Sequence, residues 1–301
     1  MTLCIAAICD DMVNTQPKIV LCTDMERQTE GIGSSETEDK LGFARPGWPV
    51  LMAGTISKSY ELLNVYAGHL ASNYQKIDEF NLLTSLREPA HIQKCKLVDH
   101  YFQQTFSFSR SYFYGQGKEK LPEKFIADQE EVISRIKLEA SLIIAGYIPE
   151  TDFLKGGKGP RPFLCVVDDT QSVSGADEVT IEYEYAAIGS GHYPAISNLY
   201  RREQDSVNSL IQTLYNVYEA NCLSDKVPGV GREFVKIDVL YSDGSLKSVS
   251  EAGYKYLKSL FKKYGPKHVD AKKIEFKEDF IEPYDTNTVQ NNPNQARGDS
   301  R

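Results

Sequence analysis

The residue whose type and place could do chemistry stands second in the chain. Thr2 directly follows Met1, and threonine is small enough to permit removal of a preceding methionine. A threonine freed in this way can use its own α-amine as the base that activates its hydroxyl, which turns Oγ into a nucleophile. The plain alternative is that Thr2 is only the residue after the start methionine. Behind it, Leu3-Cys4-Ile5-Ala6-Ala7-Ile8-Cys9 is a near-continuous apolar run closed by Asp10 and Asp11. That is the pattern of a strand buried on both faces.

Other chemistries find little in the residues. Cys4, Cys9, Cys22, Cys95, Cys165 and Cys222 are scattered, mostly in apolar segments and without a C-x-x-C pair, so buried reduced thiols are expected. His69, His91, His100, His192 and His268 have no metal-ligand spacing with cysteines or carboxylates, so no zinc site is expected. His91 and His100 fall on what reads as a polar helix face. Gly156-Gly157-Lys158-Gly159 lacks the order of a phosphate loop and no helix follows it, which leaves a hairpin connection. A net charge of -8 argues against a nucleic-acid partner. No apolar run reaches the roughly 18 residues that span a bilayer. The start has neither a positive n-region nor a small-residue cleavage site, so no secretory signal is expected and the cytoplasm is the default address.

The elements that must position Thr2 follow from the hydrophobic pattern. At 301 residues, 41% hydrophobic and 25% charged, the chain can bury a sizeable core. Strands are predicted over 18–24, which makes a hairpin with the first run, and over 40–43, 50–54, 142–146, 162–167, 179–187 and 234–241. Residues 45–49 and 242–245 read as turns. A helix begins near Thr55 or Ser57 and shows apolar spacing over 60–74. Further helices are predicted over 88–114, 123–137, 192–201 and 205–221. The segment 253–264 is basic and amphipathic, with Lys255, Lys258, Lys262 and Lys263 on a solvated face. The aromatic stretch 101–114 has helical spacing and reads as core or interface rather than as a base-stacking surface. From residue 282 a polar Asn/Gln/Pro-rich tail begins, with too little apolar content to fold. Strands, helices, strands, helices and strands in that order suit an α+β domain of two stacked sheets with helices on both outer faces.

Four local motifs, in this order and spacing, resemble the proteasome β-subunit type of N-terminal nucleophile (Ntn) hydrolase. Thr2 opens the first strand. Cys22-Thr23-Asp24 ends the second, where the family has Ala-Ala-Asp. Lys40 stands sixteen residues after Asp24, in Asp39-Lys40-Leu41-Gly42-Phe43. Leu51-Met52-Ala53-Gly54-Thr55 follows, with Gly54 fourteen residues after Lys40. Ala145-Gly146, the segment 160–168 and Ile188-Gly189-Ser190-Gly191 then recur in the family's order. The resemblance runs from Thr2 to about residue 251. It implies a four-layer αββα sandwich of antiparallel sheets, one domain over 1–281, with a helical insert at about 80–140 and a disordered tail over 282–301.

The resemblance also implies roles. Thr2 would attack a peptide carbonyl, Lys40 would assist at the hydroxyl, and Asp24 would hold the lysine. The Gly54 N–H would line the oxyanion hole, and Ser190 would help to shuttle the proton. Asp225, thirty-five residues after Ser190, falls near the family's later aspartate. Met52 and Ile56 flank Gly54 and would line an apolar pocket for the residue before the scissile bond. Each has a bland counterpart: a surface salt bridge for Asp24 and Lys40, a tight turn for Gly54, a loop for Ser190. Two departures stand out. Pro228 occupies the place of the family's serine, and Arg27 is displaced in Asp24-Met25-Glu26-Arg27. They resemble divergent bacterial proteasome-like proteins. The implied activity is a cytoplasmic threonine endopeptidase without metal or organic cofactor. It would act on peptide or unfolded protein and assemble as a homo-oligomeric ring, with no nucleic-acid or membrane partner. The alternatives are a catalytically silent scaffold or assembly subunit, and an amidase for a small amide.

Overall fold

The computed structural model describes residues 3–11, 16–24, 40–73, 77–78, 80–148, 160–168, 179–224, 235–265 and 277–284. Within them the chain is α+β, with two antiparallel sheets. The first hairpin forms as its apolar runs require: β1 (Leu3–Asp11) pairs with β2 (Gln16–Asp24) in the register Cys4↔Thr23 to Asp11↔Gln16. The strand runs through Asp10 and Asp11 rather than stopping before them. A second hairpin joins β3 (Leu41–Arg45) to β4 (Trp48–Gly54), so Trp48 and Pro49 belong to the strand and not to the turn.

Helix α1 (Ile56–Asn73) follows, with the Thr55 carbonyl accepting from Ser59 N at 2.9 Å. Then come α2 (Leu82–Phe106), α3 (Arg110–Tyr114), α4 (Gly117–Lys120) and α5 (Glu123–Ser134). The helix expected over 88–114 therefore starts earlier and breaks. Ser107 adopts a left-handed conformation at φ 58°, and Ser109 caps the next helix by accepting from Tyr112 N at 3.2 Å. Glycine-free αL residues are uncommon, and one at a helix end stops the ladder.

Strands β5 (Ala140–Ile148) and β6 (Arg161–Val167) return. The single strand expected over 179–187 is two: β7 (Val179–Glu182) and β8 (Tyr185–Gly189) lie in different sheets, and the chain changes sheet at Tyr183 and Glu184. After α6 (His192–Arg201), helix α7 runs over Leu210–Ser224 instead of 205–221. Asp205 is occupied in a turn, where its carboxylate accepts from the Ser206 hydroxyl at 3.0 Å, the habit that keeps aspartate out of helix interiors. The remaining elements are β9 (Val235–Leu240), β10 (Leu246–Val249), α8 (Glu251–Tyr264) and β11 (Ile281–Pro283). Residues 282 and 283, assigned to the tail by composition, are thus part of a sheet edge. Tyr284 accepts from Lys236 Nζ at 3.2 Å and donates its N–H to the Leu246 carbonyl at 3.4 Å.

The sheet orders are β11-β10-β9-β2-β1-β8 and β3-β4-β5-β6-β7. Their faces follow the two-residue period of a strand. Leu3, Ile5, Ala7 and Cys9 of β1 join Leu214, Tyr215 and Leu257 in one apolar cluster with α6, α7 and α8. Cys4, Ala6 and Ile8 instead meet Leu51, Ala53, Ile143 and Ala145 of the other sheet. Val50 and Met52 turn the opposite way, to Leu62, Tyr66 and Leu86 of α1 and α2. A smaller cluster of Val98, Phe102 and Phe113, with aromatic neighbours, holds α2, α3 and α5 together. Among the described residues no helix is long and apolar enough to cross a membrane.

Candidate functional site

The antiparallel pairing brings several strand ends to one end of the molecule. Leu3 opposes Gly189, and Asp24 opposes Val235. In the other sheet Gly54 opposes Ala140, and Leu142 opposes Val167. Two side-chain contacts tie these ends together across the sheets. The Cys4 thiol donates to the Met52 carbonyl at 3.3 Å, and Lys40 forms an ion pair with Asp24.

Asp24 is fully buried and Lys40 is 8% exposed. Asp24 Oδ1 accepts from Lys40 Nζ, while Oδ2 accepts from Leu3 N at 3.1 Å. Desolvating a carboxylate is costly without such partners, and here an ammonium and a peptide N–H share the work. Lys40 is held from its own backbone, whose carbonyl accepts from Met52 N at 2.9 Å. The surface salt bridge that the residue types alone also allowed is therefore excluded. The Leu3 nitrogen that binds Asp24 is the atom through which Leu3 is joined to Thr2.

At Gly54, φ is +102° and a Cβ would lie 2.7 Å from the Glu139 carbonyl oxygen, so only glycine fits without strain. The Thr55 N–H donates to that same Glu139 oxygen at 3.1 Å, and the Ser59 hydroxyl donates to the Ala53 carbonyl at 3.2 Å. These bonds fix the turn from β4 into α1. Ser141, opposite Ala53, donates its hydroxyl to Asp168 Oδ1 at 3.0 Å. Ser190 is half-buried just beyond the end of β8. The neighbouring His192 donates Nδ1–H to the Gly189 carbonyl at 2.7 Å, which leaves Nε2 as the ring acceptor when the imidazole is neutral.

The structure thus joins Asp24, Lys40 and the Leu3 peptide. It puts Gly54 and Ser190 at strand ends on the same side. Met52 is buried under α1 in the apolar cluster, and Ile56 is half-buried as the first residue of that helix. Thr2, Asp225, Arg27 and Pro228 lie outside the described residues. Leu3 N–H, Cys4 and the Ser141–Asp168 pair carry no local signal in the sequence and emerge only from the pairing of strands. The buried thiols nearby are poor nucleophiles: burial pushes Cys22 well up, with Cys4 and Asp24 adding to the effect, and burial alone pushes up Cys165.

Neither protein-family models nor curated proteins match this chain. Among the described residues no three His, Cys, Asp or Glu side chains stand together as a metal site would require.

Proposed function

We propose that the chain is an Ntn hydrolase of the proteasome β-subunit type, with Thr2 as nucleophile after removal of Met1, acting as a threonine endopeptidase. The observation that carries this reading is the buried Lys40–Asp24 pair hydrogen-bonded to the Leu3 peptide nitrogen, one bond from Thr2. A cation buried at that place supports a role beside a hydroxyl that must lose its proton. The separate apolar clusters of each sheet with its own helices, and of the two sheets with each other, support a four-layer αββα sandwich.

In this mechanism the Thr2 amine takes the hydroxyl proton and Oγ adds to the substrate carbonyl. Lys40 stabilises charge on Oγ, and Asp24 keeps the ammonium in place. The Gly54 N–H faces the oxyanion, a contribution of about 3 kcal/mol for such a donor. Collapse of the tetrahedral intermediate passes the proton to the leaving amine, and water then clears the ester. The substrate is a peptide or unfolded protein and the working form a homo-oligomeric ring in the cytoplasm. Pro228, in place of the family's serine, favours a silent scaffold as the second reading. Hydrolysis of a peptide panel by the full chain separates the two. Turnover that vanishes in both Thr2→Ala and Lys40→Ala is the expected result. Turnover unchanged in Thr2→Ala refutes the mechanism, and none in the native protein favours the scaffold.

A further inference from the structure

Cys95 differs from the cysteines of the sheets. It is half-buried on α2, and its sulfur is approached from two sides. Arg110 Nη1 donates to it at 2.8 Å, and His91 Nε2, one helical turn earlier, lies 3.4 Å away. Arg110 reaches the sulfur because the helix breaks at Ser107 and folds back. The Arg110 N–H donates to Asp99 Oδ1 on α2 at 3.0 Å, which pins the start of α3 and sends the guanidinium toward Cys95. Phe102, Phe106, Phe108 and Phe113 pack beside this turn and hold it. By contrast, Cys22 and Cys165 are fully buried, and Cys4 gives its S–H to the Met52 carbonyl.

We propose that Cys95 is a peroxide-reactive thiol, with His91 as its base and Arg110 as the cation that holds the sulfur's negative charge. A nucleophile with a base and a cation each within contact distance of it is the arrangement by which a thiol is activated. His91 Nε2, in the tautomer that leaves it bare, takes the S–H proton. The sulfur then attacks one oxygen of a hydroperoxide; the S–O bond forms as the O–O bond breaks. Sulfur loses two electrons and the peroxide gains them. The proton held on His91 passes to the departing oxygen, so the products are the Cys95 sulfenic acid and water, or an alcohol from an organic hydroperoxide. Nothing in this step uses Thr2, Lys40 or Asp24, so it stands whether or not the proposed hydrolase activity does.

The test is treatment of the native full chain with hydrogen peroxide in the presence of a dimedone-type trap, with the label quantified by peptide mass spectrometry at each cysteine. Labelling at Cys95 is expected to exceed that at Cys222, the other half-buried thiol, by about tenfold, and Arg110→Gln to remove most of that advantage. His91 is exposed, so His91→Ala leaves the packing intact and provides a second variant if Arg110→Gln fails to fold; it should slow labelling at Cys95 several-fold and leave Cys222 unchanged. Equal rates at Cys95 and Cys222 in the native protein overturn the proposal. So does a folded His91→Ala or Arg110→Gln protein that labels Cys95 at the native rate.

Discussion

Arg202 grips Glu219 through two hydrogen bonds of 2.5 Å, whereas Lys40 meets Asp24 through a single ammonium. Both carboxylates are fully buried, but their settings differ. Glu219 also accepts from Asn198 at 3.2 Å and from Arg201 at 3.4 Å, and Arg202 reaches on to the Gly265 carbonyl at 3.3 Å. Every partner fastens α6 to α7 or to the end of α8. A planar guanidinium on a carboxylate is a rigid clamp. Asp24 instead divides itself between the other sheet, through Lys40, and the peptide nitrogen next to Thr2. A lysine is a compact point charge that can assist a proton transfer. The first pair reads as architecture, the second as chemistry placed on architecture.

That contrast can be broken most forcefully at the clamp. Arg202→Ala should cost about 3–5 kcal/mol, because it removes both short bonds to a buried carboxylate and leaves only the longer ones from Asn198 and the partly exposed Arg201; denaturant unfolding checks this. The folded fraction should keep its native reactivity at Thr2. The lysine pair should behave in the opposite way. Lys40→Ala is expected to lose about 3 kcal/mol or less, since Asp24 retains the Leu3 N–H, yet to lose all turnover. The double variant Asp24→Asn/Lys40→Met should recover to within about 2 kcal/mol of the native stability while remaining inactive. Turnover in the double variant would make the pair purely structural.

Gly54→Ala tests the turn beside that site. The strained φ and the close Glu139 oxygen predict a loss of about 1–3 kcal/mol, read from denaturant unfolding. A pH series sharpens the clamp side. Burial first, and Glu219 next, push the Tyr215 phenol up to about 12 from its ordinary 10.0. With the folded value raised, the unfolded chain ionises first. The associated stability is therefore full below about pH 10 and is lost as the pH climbs toward about 12. Thermal melts across that window should fall for the native protein and fall less for Tyr215→Phe. The smallest effect belongs to the exposed Lys255–Glu251 pair on α8, where Lys255→Ala should leave the melting temperature unchanged.

The sequence makes the first hairpin legible because continuous apolar runs leave one reading. Helix 192–201 is read equally well from its spacing and from the glycines before it. The sheet change at Tyr183 and Glu184 is not legible, since period-two alternation continues across it and says nothing of which sheet a strand joins. The break at Ser107 is hidden for a similar reason: aromatic residues keep helical spacing on both sides of it. At the site, Asp24 and Lys40 are sixteen residues apart with no local pattern linking them. Only a resemblance pairs them in advance, and the contact of Asp24 with the Leu3 N–H follows from strand register alone. Cys95 and Arg110, fifteen apart, are likewise joined only by a helix break that the residues do not announce.

The most direct test of the central claim is mass spectrometry of the full-length protein before and after exposure to a threonine-directed electrophile. Met1 is expected to be absent, and a single covalent adduct to map to Thr2 and to fail to form in Lys40→Ala. Retained Met1, or an adduct that forms equally well without Lys40, would contradict the claim.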